Sequence, residues 1–142
     1  MRFLVRKLDD VIRWCTGVFE FTQDANCILR VQVTRAKHPA HLPDVDLKPG
    51  DSVLLIHLWN ERLPQFPLSG ADLAWAKRTL HLFRCSLNLV AEYLRNEPRL
   101  SDVCAVGGET ILLHSGLHTA GKRFVQDLGF MVVPYHHRLG RF

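Results

Sequence analysis

The sequence predicts a single α/β domain, with α+β as the alternative, in which a small mixed β-sheet of four to five strands packs with about three helices. Three observations support this class: a mid-chain strand that is apolar on both faces, a long amphipathic helix after it, and a further strand after the helix. Two strands of one sheet joined by a crossover helix form a right-handed βαβ unit. A chain of 142 residues suits one domain over positions 1–142.

The composition is typical of a globular protein and argues against a nucleic-acid partner. Hydrophobic residues make up 47% of the chain and charged residues 23%, which are ordinary values for a folded domain. The formal net charge is only +4, and the basic residues are scattered along the chain. A protein that binds nucleic acid usually concentrates its positive charge on one face or in one tail.

The cysteines and the first residues indicate a cytoplasmic protein. The cysteines lie far apart, without a Cys-x-x-Cys pair, at Cys15, Cys27, Cys85 and Cys104. Such isolated cysteines behave as small core hydrophobes, and disulfide frameworks belong to secreted chains. Positions 1–10 carry early charges and lack the apolar core of a secretory signal, and no apolar run is long enough to span a bilayer. Association with the periphery of the inner membrane is the alternative.

The first predicted element is an amphipathic helix over positions 2–20. Its apolar residues recur at three- and four-residue intervals: Leu4, Leu8, Val11, Ile12, Cys15, Val18 and Phe19. We interpret this stripe as the face that packs on the sheet. Because basic residues flank the stripe, the alternative is a helix lying on an anionic membrane surface, which Asp9 and Asp10 disfavour.

Two strands are predicted next. Positions 27–35 alternate, with Cys27, Leu29, Val31 and Val33 on one face and Arg30 and Gln32 on the other, as in a strand with one buried face. Positions 37–46 read as a loop. A Pro49-Gly50-Asp51 turn then leads into the most apolar run of the chain, 53–59. A strand that is apolar on both faces is expected at the centre of a sheet.

The second half of the chain predicts a long helix, a strand, a short helix and a closing strand. Ser69 is the expected N-cap of a helix that runs to about Asn96, with Pro98 just beyond it. Positions 100–106 read as a strand, and 109–117 as either a strand or one helical turn. A short helix over 119–128 with Gly129 as its C-cap and a strand at 130–133 complete the prediction.

A polar cluster at the end of the central strand is the candidate ligand-binding site: His57, Trp59, Asn60, Glu61 and Arg62. In open α/β sheets, ligands bind where the carboxyl ends of the strands meet the following loops. An imidazole, an indole, an amide, a carboxylate and a guanidinium would suit a small polar ligand such as a sugar, a carboxylate or a phosphate ester. The structural alternative is that these groups only fix the exit of the strand.

Catalytic and metal chemistry have weaker support. An enzyme, such as a hydrolase or transferase acting on a sugar or lipid, would use His57 as general base with Glu61 or His114 assisting. These groups would have to lie within about 3 Å of one another or be bridged by one water. His114 and His118 have the spacing of a helical metal pair, but Ser115-Gly116 interrupts a continuous helix. Phosphate-loop, dinucleotide and nucleophile-elbow motifs are absent from the sequence. We therefore predict no cofactor and no metal site.

Several segments resemble the YkoP-like domain family of bacteria. The resemblance lies in Leu47-Lys48-Pro49-Gly50-Asp51, in Ile56-His57-Leu58-Trp59-Asn60-Glu61-Arg62-Leu63-Pro64, in Val103-Cys104-Ala105-Val106-Gly107-Gly108-Glu109-Thr110 and in Leu128-Gly129-Phe130. The family has no established activity, and some members are joined to polysaccharide-deacetylase domains. The resemblance thus implies an accessory role near envelope glycan or lipid chemistry, an envelope-related protein partner, and a shared site at His57, Asn60 and Glu61.

The leading hypothesis is a non-catalytic ligand-binding or accessory domain whose site is the cluster at the end of the central strand. The rival is the small enzyme with His57 as general base. The third hypothesis is a peripheral membrane protein that uses the helix over positions 2–20. The sequence leaves the oligomeric state open.

Overall fold

The computed structural model describes residues 17–70, 72–109 and 118–133. Within these residues a four-stranded mixed sheet is accompanied by a separate two-stranded hairpin and two α-helices. The elements in chain order are β1 (Val18–Phe19), β2 (Leu29–Arg35), β3 (Ala40–His41), β4 (Asp46–Leu47), β5 (Ser52–Leu58), α1 (Leu73–Asn96), β6 (Val103–Gly108) and α2 (His118–Asp127). This is an α+β arrangement, the alternative class that the sequence allowed.

The four-stranded sheet has the order β1-β2-β5-β6. Strand β2 is antiparallel to β1 and to β5, whereas β5 is parallel to β6. Because β5 has a partner on each side and α1 connects it to the parallel β6, the predicted central strand and the strand–helix–strand unit are confirmed. The hairpin β3–β4 lies in the segment that the sequence analysis interpreted as a loop.

The core lies between one face of the sheet and α1. Leu29, Val31 and Leu54 point from β2 and β5 to this face and are at most 1% exposed. They form one cluster with Cys27 and with Val90 of the helix. Partly buried residues surround the cluster: Phe19, Phe21, Ile56, Phe83, Leu87, Leu89, Tyr93, Leu94, Val103 and Val106. The two periodicities, two in the strands and 3.6 in the helix, thus bury one shared apolar surface.

A buried serine joins the helix to the sheet. Ser86 is fully buried on α1, and its hydroxyl donates a hydrogen bond to the carbonyl of Leu82 at 2.7 Å. The same oxygen accepts a hydrogen bond from the backbone N–H of Ile28 at 2.9 Å, 58 residues earlier in the chain. The carbonyl of Ile28 in turn accepts from the N–H of Trp59 at 2.8 Å. Because buried N–H groups need acceptors, Ser86 fixes where the helix sits on the sheet.

The predicted helix over positions 2–20 is wrong at its end. Gly17 has φ +68° in a turn, and Val18–Phe19 form β1, which pairs with β2. Because residues 18 and 19 pair with β2, their apolar pattern belongs to a strand. Positions 1–16, which carry the rest of that helix and the membrane-surface hypothesis built on it, lie outside the described residues. The structure accordingly shows two of the expected three helices.

Of three other expectations, two are wrong and one is confirmed. Helix α1 begins at Leu73 and is capped by Asp72, whose carboxylate accepts from the N–H of Trp75 at 2.7 Å, so the prediction of Ser69 as N-cap is wrong. The segment 130–133 forms no strand. The cap of α2 is confirmed, because the N–H of Gly129 donates to the carbonyl of Gln126.

Candidate functional site

The predicted site surrounds the exit of β5. The strand ends at Leu58, and a single 3-10 turn follows at Asn60–Arg62. The hydrogen bond from the N–H of Trp59 to the carbonyl of Ile28 holds the start of this turn against β2. The five predicted residues therefore lie together at the carboxyl end of the central strand, but they play different structural roles.

Trp59 lies in the interior, between two guanidinium groups. Its side chain is 7% exposed, with the Arg62 guanidinium carbon 3.6 Å from the ring centroid and that of Arg30 at 4.4 Å. Arg62 also donates hydrogen bonds to the carbonyls of Asp24 at 2.6 Å and Cys27 at 3.3 Å. Cations over an indole face are stabilised by the ring quadrupole. Trp59 and Arg62 thus fix the strand exit and leave little surface for a ligand.

The sheet face opposite α1 carries a polar row. Arg30 and His57 are direct partners in the β2–β5 register, and Nε2 of His57 lies 3.0 Å from Oε1 of Gln32. The guanidinium of Arg30 forms ion pairs with Glu61 at 3.8 Å and with Glu20 at 3.9 Å. We call Arg30, Gln32, His57 and Glu61 the polar face; Asn60 is exposed beside it.

The surroundings of His57 disfavour the protonated form of its imidazole. Burial lowers the pKa of His57 below its ordinary value of 6.5, and the negative charge of Glu109 opposes this in part. Because an amide oxygen only accepts hydrogen bonds, the contact with Gln32 requires the proton of the neutral ring to be on Nε2. The lone pair of the ring is then on Nδ1.

The hydrogen bonds and ion pairs of His57 and Glu61 do not join these two residues to each other, and His114, the other proposed assistant, lies outside the described residues. The hydrogen bond of His57 is with Gln32, and the ion pair of Glu61 is with Arg30. The side chain of Glu61 is 67% exposed, so its carboxylate faces solvent as well as the guanidinium. A general base oriented by an acid requires a direct contact between them or one bridging water. The residues therefore form a row of hydrogen-bonding groups along the sheet.

The metal hypothesis falls largely outside the part of the chain that the structure describes. His114 lies in the segment 110–117, and His118 is described only as the first residue of α2. Among the described residues no group of three or more His, Cys, Asp or Glu side chains could hold a metal ion.

No helix within the described ranges combines the length and apolarity needed to cross a bilayer.

Sequence reasoning missed the contribution of β2 to this site. The alternation of β2 predicts that Arg30 and Gln32 share one face, but no signal in the sequence gives the register that puts them beside His57.

An open hollow of about 350 Å³ lies elsewhere, between the loop before β2 and α1. It is lined by Asp24, Asn26, His81, Leu82, Cys85, Asn88 and Leu89, and none of the five predicted site residues contributes to it.

We expect the stability of the protein to fall as the pH drops below about 6.5, and His57 to account for part of this loss. The folded protein binds a proton at His57 more weakly than the unfolded chain does, so the free energy of unfolding decreases once the unfolded chain is protonated. His57→Gln keeps a donor toward Gln32 and removes the titration. Urea unfolding between about pH 5 and about pH 8 should show a smaller pH dependence in that variant.

The control for this experiment is His81→Gln, which removes an exposed imidazole from α1. An unchanged pH dependence in His57→Gln would contradict the assignment. A second loss of stability, at lower pH, comes from Glu97 and not from His57. The hydrogen-bonded ion pair with Arg99 lowers the pKa of Glu97 from 4.5 to about 2. Stability from that pair is present above 4.5 and is lost toward pH 2, outside the window in which His57 acts.

The fold and the site define a small α+β domain with one sheet face covered by a long crossover helix and a polar row on the other. The chain belongs to the YkoP domain family, whose model matches residues 1–142 and so covers the whole chain. This confirms the resemblance noted in the sequence. Searches of curated proteins and of solved structures gave no match.

Proposed function

We propose that this domain is a non-catalytic binding module that takes a neutral, hydroxyl-rich glycan at the polar face and the adjacent Asn60. The observation that carries the proposal is the juxtaposition of His57, Gln32 and Arg30 across β2 and β5, next to the solvent-facing Glu61. These groups come from two strands and one turn, so the sheet holds them in a fixed relation. A binding site on rigid elements loses little entropy when a ligand binds.

The chemistry of the polar face favours hydroxyl groups over anions. The amide of Asn60 can donate and accept, Nδ1 of His57 can accept while its Nε2–H bonds Gln32, and the carboxylate of Glu61 accepts. This set matches a sugar hydroxyl, which both donates and accepts. Two carboxylates, Glu20 and Glu61, pair with Arg30, and Glu109 acts on His57. A carboxylate or phosphate ligand would be repelled by these three charges, whereas a neutral sugar would not.

A binding role agrees better with the geometry than the rival enzyme. The hydrogen-bond partner of His57 is an amide, and the carboxylate of Glu61 pairs with the guanidinium of Arg30. The link to envelope glycan or lipid metabolism, the envelope-related protein partner and the cytoplasmic or membrane-peripheral location remain part of the proposal. Their support is the family's association with polysaccharide-deacetylase domains.

The proposal is tested by titrating the ¹⁵N-labelled chain with N-acetylglucosamine tetramer and with a glucose tetramer, followed by NMR. We expect amide shifts at β2, at β5 and at Asn60–Arg62 with at least one of the two sugars. Glu61→Gln removes one charged acceptor at an exposed position and should weaken binding about tenfold. Glu92→Gln, on the exposed side of α1, is the matched control and should bind like the unchanged chain.

Two results would overturn the proposal. One is the absence of shifts at the polar face with either sugar. The other is binding that persists in folded Glu61→Gln and Asn60→Ala variants. If His57→Ala and Glu61→Ala melt the fold while the residual folded protein still binds, the cluster is structural only. Release of a product from either sugar would favour the enzyme instead.

A further inference from the structure

We propose that a protruding apolar loop, separate from the polar face, inserts into the surface of an anionic phospholipid bilayer. The apolar tip is formed by Phe66, Leu68 and Leu73, between the 3-10 turn and the start of α1. This inference goes beyond the proposed glycan site, because it uses other residues and a different ligand. It also differs from the membrane hypothesis for the helix over positions 2–20.

The side chains of the apolar tip face solvent to an unusual degree. Phe66 is 65% exposed, Leu73 71%, and Leu68 is as exposed as in an extended peptide, at 111%. The segment 63–70 contains no Asp, Glu, Lys or Arg. Scattered exposed apolar residues are normal on a protein surface, but three within positions 66–73, where Asp72 is the one charged residue, form a patch. Such patches commonly mark a surface that is covered in the working state of a protein.

The loop is held in its exposed conformation. The ring of Phe66 stacks on Trp75, with 4.4 Å between centroids and an interplanar angle of 19°. The indole N–H of Trp75 donates to the carbonyl of Pro64 at 2.9 Å. The N–H of Gly70, which has φ +92°, donates to the carbonyl of Pro67 at 2.9 Å, and this turn presents Leu68 at its apex. The tip is therefore preorganised.

Positive charge adjoins the apolar tip. Leu73 and Lys77 are four residues apart on α1 and so lie on one side of the helix, and the exposed Arg78 follows. From 73 to 91 the helix carries Lys77, Arg78 and Arg84 but no acidic residue, and the Asp72 carboxylate is occupied as the N-cap. Apolar side chains beside lysine and arginine are the pattern of proteins that bind anionic lipid surfaces.

The shape and size of the patch favour a bilayer over a second protein. A protein interface needs about 800 Å² from each partner, whereas three side chains of this size offer roughly half of that. A protruding apex also suits a fluid acyl layer, which adapts to any shape. The indole of Trp75, with its apolar ring and its bound N–H, is the side chain expected at the boundary with the headgroups.

Co-sedimentation with vesicles tests this inference on the full chain. One set of vesicles is phosphatidylcholine alone, and the other also contains phosphatidylglycerol. We expect binding to the anionic vesicles that weakens as salt is added. Leu68→Asp should reduce it about tenfold or more, because an apolar anchor is replaced by a charge. Lys77→Gln should reduce it about fivefold, and only for the anionic vesicles.

The matched control is Met131→Asp, which changes an exposed apolar residue far from the tip in sequence and should bind like the unchanged chain. Failure of the unchanged chain to bind anionic vesicles, or unaltered binding by Leu68→Asp, overturns the inference. A dimer in analytical ultracentrifugation that Leu68→Asp abolishes, without vesicle binding, would show that the patch is a protein contact. Glycan shifts in Leu68→Asp should remain, which separates this test from that of the polar face.

Discussion

Trp59→Ala is expected to lower the free energy of unfolding by about 3–5 kcal/mol, the range found for large aromatic side chains removed from a core. The indole is 7% exposed and fills the space between the guanidinium groups of Arg30 and Arg62. Without it, both cations lose their aromatic partner and the exit of β5 loses its packing. Chemical denaturation followed by far-UV circular dichroism measures the effect.

Trp59→Phe shows how much of this loss comes from the missing aromatic face and how much from the missing volume. Phenylalanine keeps an aromatic face for Arg62 and should recover most of the lost stability, although its smaller ring leaves part of the cavity. Phe124→Ala is the control, because it removes an aromatic side chain that is 39% exposed on α2. A loss below about 1 kcal/mol for Trp59→Ala would show that the strand exit does not depend on this side chain.

Ser86→Ala should cost about 1–3 kcal/mol, because it leaves the buried N–H of Ile28 without its acceptor. The change is nearly isosteric, so the loss reports the hydrogen bond. Hydrogen exchange of the Ile28 amide should accelerate in parallel with the loss measured by denaturation. Ser101→Ala, at an exposed position after α1, is the matched control. Stability and exchange equal to those of the unchanged chain would mean that another group satisfies this N–H.

The sequence predicts the fold well where pattern and packing agree. The apolarity of both faces of 53–58 identifies β5 as central, and the spacing from Leu73 to Leu94 identifies α1. The errors occur at boundaries where one residue decides. Gly17 redirects the chain into β1, and Asp72, three residues after Ser69, makes the cap. The strand β1 depends on pairing with β2, a contact that local propensity does not contain, whereas the Asp72 cap is a local bond to Trp75 that replaces the equally plausible cap at Ser69.

The site could be predicted only in part. The predicted residues are close together in sequence, at the end of β5 and in the turn after it, but the residues that contact them, Arg30 and Gln32, come from β2. The position of His57 near a strand end follows from the sequence, yet its contact with Gln32 depends on pairing across 25 residues. The hydrophilic neighbours of Trp59 indicate an accessible residue, whereas Arg30 and Arg62 enclose it. Strand register sets the positions of Gln32 and Arg30, and an isolated sequence does not specify it.

The parallel pairing of β5 with β6 has a consequence for biosynthesis. The partner strand is made only after the 24 residues of α1, so a nascent chain presents β5 with one row of backbone donors and acceptors unmatched. An apolar strand in that condition recruits strands from other molecules. Fragments that stop short of Val103 should therefore accumulate as insoluble aggregates, and folding in the cell should depend on how quickly the ribosome delivers β6.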